Sequence, residues 1–316
     1  MTAAAELTGI MPVSRMCTLL GIPRRTYYNR KSVKIRLVKT RVTPDVVERI
    51  SDICSERVTY GYRMIWAMLR NEGIHLNPKT VLRIMRENDL TLPERIHRNV
   101  KGGKKLFRPT GPDQLRETDL TYIPAINEGM TYLFNVKDVF SKKWTGYFYS
   151  RTCNRRDAVS SIEDSVSREF PGGTVPGIVL REDNGSQYTS GYFGKRVKAM
   201  GFVQEFIEKS TPEQNGDIKS FHCSLKTDYI WTMEIRDFEE GRKIIENAFS
   251  DYNNIRPHSS IEYLPPAVFR ERYLNDPEFR SGYDEKLRKR MEKMKTKRET
   301  KINSPEYIKE VKEVDR

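Results

Sequence analysis

The order of hydrophobic periods in the second half of this chain is the feature that most constrains its fold. Apolar residues first recur at strand spacing, which predicts three strands close enough for hairpin connections: residues 117–123, 130–139 and 143–149. Helical and strand-like segments then alternate, over residues 154–170, 178–181, about 190–200, 202–206 and about 214–231. This order predicts one mixed α/β sheet of five strands with flanking helices.

Two aspartates stand in these predicted strands. Asp is disfavoured inside strands, so Asp119 in its Thr/Leu/Tyr/Ile run indicates a metal ligand, a hydrogen-bonded buried carboxylate or a strand-edge residue. Asp183 begins Asp-Asn-Gly, which is also an ordinary turn sequence. It nevertheless follows an apolar strand, at the end where open α/β sheets place ligands. Together the two carboxylates predict a site for a divalent metal ion.

Charge separates the chain into two parts. Residues 1–110 hold 22 Lys and Arg against 9 Asp and Glu, whereas the other 206 residues hold 34 of each. A one-sided excess of this kind favours phosphate neutralisation along double-stranded DNA over solubility alone. No run approaches the roughly 20 apolar residues of a membrane span, and the first ten residues lack a secretory pattern. We therefore expect a cytoplasmic, nucleoid-associated protein of about two domains.

The basic part predicts two helix-turn-helix units. In residues 1–40, Ser14 is expected to cap a first helix, Gly21 to end it and Pro23 to begin a second helix that carries Arg24 and Arg25. Residues 41–95 predict three helices, the last capped by Asn77-Pro78, with outward-facing basic side chains suited to phosphates and base edges: Lys79, Arg83 and Arg86. A structural helical hairpin and a merely solvated basic face are the alternatives.

The remaining segments are less patterned. Residues 96–114 predict a basic linker rich in Gly and Pro, residues 115–275 the α/β core, and residues 276–316 a charged tail that is frayed or disordered from 284 onwards. The four cysteines are far apart, so we expect free, buried thiols and no zinc site.

Residues 45–270 resemble a known family through a series of motifs in the same order. The family is the transposase (OrfB) of insertion sequences with two overlapping reading frames. The matching segments are Tyr60-Gly61-Tyr62-Arg63, Thr118-Asp119-Leu120-Thr121-Tyr122, Leu133 to Phe140 around Asp138, Asp183-Asn184-Gly185-Ser186-Gln187-Tyr188-Thr189-Ser190, Phe221 with Leu225-Lys226, and Tyr252-Asn253-x-x-Arg256-Pro257-His258. The resemblance implies a ribonuclease H-like integrase core behind helix-turn-helix modules, acting on element ends and target DNA.

The resemblance also implies three catalytic carboxylates, Asp-Asp-Glu, holding two Mg²⁺ or Mn²⁺ ions for phosphodiester cutting and joining. Asp119 and Asp183 match the first two. Thirty-five residues lie between Asp183 and the position where the family has Glu, and this chain has Lys219 there. An ammonium offers no ligand lone pair and repels a cation. Asp217 and Asp228 are expected on the opposite side of the predicted helix, whereas His222 shares the face of Lys219 and could offer a nitrogen ligand, with a packing or DNA-facing role as the alternative.

Three accounts of Lys219 remain open: an impaired transposase that retains DNA binding, a slow one-metal enzyme whose ammonium replaces one metal charge, or a DNA-binding regulator without catalysis.

Three further residues are candidates for phosphate contact: Lys226, Arg256 and His258. Arg256 and His258 are expected on a surface next to Pro257, and helix capping is the alternative. The resemblance implies a homo-oligomer on paired DNA ends and a protein of the upstream reading frame as a possible partner.

Overall fold

One mixed sheet organises the core in the computed structural model of this chain, which describes residues 12–21, 42–93, 107–208 and 211–302. The sheet order is β3-β2-β1-β4-β5, with β1–β2–β3 antiparallel and β1–β4–β5 parallel. The predicted five-stranded mixed sheet is therefore confirmed. The strands are β1 (Leu115–Ala125), β2 (Gly129–Asp138), β3 (Trp144–Ser150), β4 (Val179–Glu182) and β5 (Val203–Phe206).

Helices cover both faces of the sheet. Successive residues of a strand point to opposite faces, so Leu133 and Phe134 enter two different clusters of buried side chains. Phe134 packs with helices α5 (Arg155–Glu169) and α6 (Gly191–Ala199). Leu133 packs with α7 (Gly216–Leu225) and α8 (Phe238–Asn254). A 3₁₀ turn (Pro212–Asn215) precedes α7 and a π-helical turn (Lys226–Ile230) follows it, so the predicted helix over about 214–231 is confirmed.

A tryptophan and a glycine determine how β3 packs against the neighbouring helices. Trp144 is fully buried and meets Phe221 and Tyr252 edge-on. At Gly146 a Cβ atom would stand 2.5 Å from the backbone of Ser165 on α5. Glycine therefore lets the helix approach the sheet more closely than a side chain would allow.

Three helices of the basic part form a small bundle of their own: α2 (Pro44–Glu56), α3 (Tyr62–Asn71) and α4 (Pro78–Glu87). Ile50, Ile65 and Val81 fill its centre without solvent exposure. The Asn77 side chain accepts from the Lys79 amide at 2.9 Å, which confirms the predicted cap.

The first predicted helix-turn-helix unit is described only in part. Its helix α1 (Val13–Leu19) begins one residue before Ser14, so the predicted Ser14 cap is wrong. Arg24 and Arg25 lie outside the described residues.

The bundle of α2–α4 is bound to the core by polar contacts. Arg57, at the end of α2, donates to both carboxylate oxygens of Asp251 on α8, at 3.0 and 2.5 Å. Thr59 donates to Asp228 at 2.7 Å, and Arg70 of α3 donates to the backbone carbonyls of Glu262 and Tyr263. The two parts therefore share a hydrogen-bonded interface.

The C-terminal part departs from the sequence prediction. Helix α9 (Pro266–Asn275) was not predicted, and α10 (Pro277–Ile302) is continuous where residues from 284 were expected to fray. Its first turns pack Phe279 and Tyr283 against Phe269, so aromatic contacts hold them in place. Residues 303–316 lie outside the described part.

The cysteines are free, as expected, but the expectation that all are buried is wrong. Cys17 is buried, Cys54 is half-buried, and Cys153 and Cys223 are exposed. Within the described ranges, no helix is both long and apolar enough to cross a membrane.

Candidate catalytic site

Two cross-strand pairs, two residues apart, carry the polar side chains at the centre of the sheet. Asp119 of β1 lies opposite Asn135 of β2, and Glu117 lies opposite Lys137. Directly opposite residues point to the same face, and so do positions i and i+2. All four side chains therefore face α7, and all four residues are buried. The sheet concentrates polar groups under the helix that carries Lys219.

The Glu117–Lys137 pair anchors the first turn of α7. Glu117 accepts from the backbone amide of Ile218 through Oε2 at 2.8 Å, and a carboxylate at a helix N-terminus satisfies a free amide and the helix dipole. Lys137 donates from Nζ to the Asp217 carbonyl at 3.1 Å. Burial, followed by the charge of Asp217, raises the pKa of Glu117 to about 7. These two hydrogen bonds fix the position of the first turn of α7, which carries Lys219, relative to the sheet.

Asp119 retains one carboxylate oxygen for a ligand. Its Oδ1 accepts from the amide of Leu120 at 2.9 Å, while Oδ2 lies 3.7 Å from Nδ1 of His222. Burial, and then the nearby charge of Asp183, raise the pKa of Asp119 to about 7, and Lys219 acts in the opposite direction. A buried carboxylate whose charge is disfavoured by a neighbouring carboxylate is an environment that a cation relieves.

Asp183 completes the carboxylate pair from the neighbouring strand. It directly follows β4, and its Oδ1 accepts from the Gly185 amide at 2.8 Å. Its Oδ2 makes no hydrogen bond to any described residue, and the side chain is half-buried. A Cβ atom at Gly185 would approach Asp183 Oδ1 to 2.9 Å, so glycine lets this turn close around the carboxylate.

Lys219 stands on the exposed side of the site. It occupies the first turn of α7, close enough to Asp119 to lower the pKa of that carboxyl, and is itself solvent-exposed. His222 and Lys226, three and seven residues later, follow on the same helix face. His222 is buried, and burial together with Lys226, Lys137 and Lys219 lowers its pKa to about 3. The expectation that His222 shares the face of Lys219 is confirmed, and its burial is inconsistent with a DNA-facing role.

No carboxylate nearby replaces the missing one. Asp217 is engaged with Lys142, and Asp228 with Arg256 and Thr59. Among the residues that the structure describes, no group of three or more His, Cys, Asp and Glu side chains is arranged to hold a metal ion. The carboxylate oxygens of Asp119 and Asp183 are the donor type that divalent cations take, whereas the ammonium of Lys219 has no lone pair to offer.

The predicted DNA-contacting residues fall into two groups. Lys79, Arg83 and Arg86 are exposed along α4, although Arg83 also pairs with Glu87 at 2.9 Å. Lys226 is half-buried next to the candidate site.

Beyond α8, Arg256 pairs with Asp228 at 2.8 Å with its side chain only 12% exposed, so the predicted surface position of Arg256 is wrong. His258 is half-buried and accepts from the Ser260 amide through Nδ1 at 3.4 Å. A DNA contact by either residue stays a prediction.

Three residues of this site were not predicted from the sequence: Glu117, Asn135 and Lys137. The available signal was a polar residue at every second position of two predicted neighbouring strands. Residues two apart share a face, so that pattern indicates a polar stripe through the middle of the sheet.

Comparisons with known proteins agree with this architecture. Residues 44–97 match the HTH-like domain family, and residues 109–212 and 200–266 match two integrase core domain families. The chain is 30% identical to the transposase for insertion sequence element IS904 of Lactococcus lactis, over 68% of this chain and 88% of the relative. It is 29% identical to transposase InsD of an Escherichia coli IS2 element, over 73% and 80%. The HTLV-2 integrase catalytic core, in a structure titled as a complex with magnesium, aligns with a TM-score of 0.41 and 13% identity over 52% of this chain and 99% of that one.

Proposed function

This chain belongs to the insertion-sequence transposase family with an integrase core of the Asp-Asp-Glu type, and we propose that it binds element-end DNA while Lys219 impairs its cutting and joining of strands. The single observation that carries the proposal is the composition of the site: two converging carboxylates with an ammonium at the third position. Three exposed basic side chains on α4, Lys79, Arg83 and Arg86, support the DNA-binding part of the proposal.

Asp119 and Asp183 are the residues that would hold a divalent cation. Such a cation, when bound, activates a water or 3′-hydroxyl and stabilises the leaving oxygen of a phosphodiester. The protein's own part is to hold the two carboxylates in place through hydrogen bonds from the Leu120 and Gly185 amides. Lys219 works against occupancy because it already supplies a positive charge beside Asp119.

The size of this effect follows from electrostatics. At an effective dielectric constant of about 20, a unit charge at 4 Å contributes roughly 4 kcal/mol, and exchanging Glu for Lys changes the charge by two units. Lys219 is exposed, so solvent and salt screen much of this. A loss of cation affinity of about tenfold or more is the conservative expectation.

The test compares Mg²⁺- and Mn²⁺-dependent cleavage and joining of element-end DNA by four forms of the full chain. These are the unaltered protein, Lys219→Glu, Lys219→Glu with Asp119→Asn, and Lys243→Glu, which makes the same charge change on the exposed face of α8. We expect activity only in Lys219→Glu. DNA binding, measured in parallel, should be retained in all four.

Two results would contradict this proposal in different ways. Equal activity of the unaltered chain and Lys219→Glu would mean that the ammonium is tolerated, as in a one-metal enzyme. If Lys219→Glu binds DNA but shows no cleavage or joining activity, more than one catalytic position is defective. That result would favour the second candidate, a DNA-binding regulator without catalysis.

A further inference from the structure

Asn135 lies between a backbone carbonyl and the imidazole ring of His222. The Asn135 Nδ2 atom lies 3.2 Å from the Leu133 carbonyl oxygen and 3.0 Å from Nε2 of His222. A carbonyl can only accept, so the amide nitrogen, not the amide oxygen, must face Leu133. Both amide protons are then used, one toward Leu133 and one toward Nε2.

The oxygen of the same amide is left unpaired in this orientation. Asn135 Oδ1 is buried and has no hydrogen-bond partner among the described residues. Leaving a buried acceptor unsatisfied costs about 1–3 kcal/mol. Rotating the amide by 180° would instead set its oxygen against the Leu133 carbonyl oxygen and lose both donated bonds. The two acceptors therefore hold the amide in the observed orientation.

The tautomer of His222 follows. Its Nε2 accepts a hydrogen bond from Asn135 Nδ2, so in the neutral imidazole the proton lies on Nδ1. Nδ1 is the nitrogen 3.7 Å from Oδ2 of Asp119, which is longer than a hydrogen bond and short enough for an N–H to attract the carboxylate. The ammonium groups of Lys226, Lys137 and Lys219 surround the ring and disfavour a second proton on it.

We infer that Asn135 and His222 form a positioning pair for Asp119, in which Asn135 fixes the Nδ1–H tautomer of His222 and that N–H orients the free oxygen of the metal-binding carboxylate. His222 is on this account not a replacement ligand for the missing Glu, because its Nδ1 has no lone pair to offer. A buried group that orients a metal ligand commonly affects metal affinity by 10–100-fold. The inference rests on the proposed function only in treating Asp119 as a metal ligand.

The tautomer is tested first, without metal and without activity. The full chain, labelled with ¹⁵N in its four histidines, is examined by NMR, and His222→Asn assigns the His222 signals by their loss. We expect a protonated Nδ1 and an unprotonated Nε2, unchanged from pH 6 to pH 8. Asn135→Leu should mix or reverse the tautomers. A protonated Nε2 in the unaltered chain would overturn the inference.

Metal affinity is tested second, by Mn²⁺ titration monitored by electron paramagnetic resonance in the Lys219→Glu background. Asn at 222 places its amide nitrogen where Nδ1 is in histidine, whereas Gln reproduces the more distant Nε2. We expect His222→Gln to weaken Mn²⁺ binding about tenfold relative to the parent with His222. His222→Asn should retain most of the parent's Mn²⁺ affinity. Thermal unfolding of both variants controls for a packing defect, because packing alone would not favour Asn over Gln.

The two proposals fail separately. Equal Mn²⁺ affinities for Asn and Gln at 222 would overturn the positioning role while leaving the metal site in place. Absence of Mn²⁺ binding in Lys219→Glu itself would overturn the proposed metal site. The positioning of a metal ligand by His222 would then fail as well, even if the NMR measurement finds the expected tautomer.

Discussion

Arg256 donates from Nε to Oδ2 of Asp228 at 2.9 Å, and the two side chains are 12% and 8% exposed. This ion pair joins the segment after α8 to the π-helical turn after α7, and Asp228 also accepts from Thr59 of the helix-turn-helix bundle. A residue of one of the family's most recognisable motifs is therefore engaged inside the protein. Its role can be separated from DNA contact by measuring stability.

Removing the charge of Arg256 should destabilise the fold. Arg256→Gln leaves Asp228 buried and unpaired, which costs about 3 kcal/mol. Urea denaturation of the full chain measures this, with Arg83→Gln in the exposed Arg83–Glu87 pair as the control, expected within about 0.5 kcal/mol of the unaltered chain. Unchanged stability of Arg256→Gln together with weaker DNA binding would instead support phosphate contact by Arg256.

A methyl group at Gly146 should not be accommodated. Gly146→Ala places Cβ 2.5 Å from backbone atoms of Ser165, so α5 must move away from the sheet, at a cost of about 1–3 kcal/mol or more. The matched variant Gly191→Ala, where nothing lies within 4 Å, should change the free energy of unfolding much less. Thermal denaturation of both variants distinguishes them, and equal shifts in melting temperature would contradict the close packing of β3 and α5.

Glu182 should make stability fall with rising pH. It is fully buried, Oε2 has no hydrogen-bond partner in the described structure, and burial raises its pKa from 4.5 to about 8. Between these values the folded protein keeps a proton that the unfolded chain releases. The stabilising contribution is therefore complete below about pH 4.5 and is lost as the pH rises toward 8.

The variant Glu182→Gln should flatten this dependence by up to a few kcal/mol between pH 5 and pH 8. Denaturation in metal-free buffer is the measurement, because a cation on the neighbouring Asp183 would change the electrostatics. Glu239→Gln, on the exposed side of α8, serves as the control. Parallel pH profiles for Glu182→Gln and the unaltered chain would disprove the prediction.

The exposed basic side chains of α4 should contribute to DNA affinity through phosphate neutralisation. Lys79→Gln and Arg86→Gln are each expected to weaken DNA binding and to lower the slope of log affinity against log salt by about 1. Their melting temperatures should stay unchanged, since neither side chain is buried. Lys243→Gln on α8 provides a comparison at an equally exposed site. If Lys79→Gln and Arg86→Gln keep the salt slope of the unaltered chain, as Lys243→Gln is expected to do, α4 does not contact phosphate through these side chains.

Secondary structure was predictable because its signals are local. Strand-like and helical spacing identified all five strands, the helices that flank them and α2–α4, and each is specified by residues within a few turns of one another. Two C-terminal helices are the exceptions. Helix α9 was not predicted, although it begins at Pro266 and a proline suits the first turn of a helix. The mixed charges after residue 284 hid a helix whose beginning is held by distant aromatic contacts.

The sequence by itself determined the family, the fold class and the substitution at Lys219, because motif order and spacing are properties of the chain. Only the tertiary structure decided what surrounds Asp119. Asn135 and His222 are 87 residues apart, and Glu117 reaches an amide 101 residues away. Such contacts depend on strand register and on the height at which α7 packs over the sheet, and a local hydrophobic period encodes neither. For the same reason the sequence could indicate that Arg256 carries a charge but not that Asp228 would bury and neutralise it.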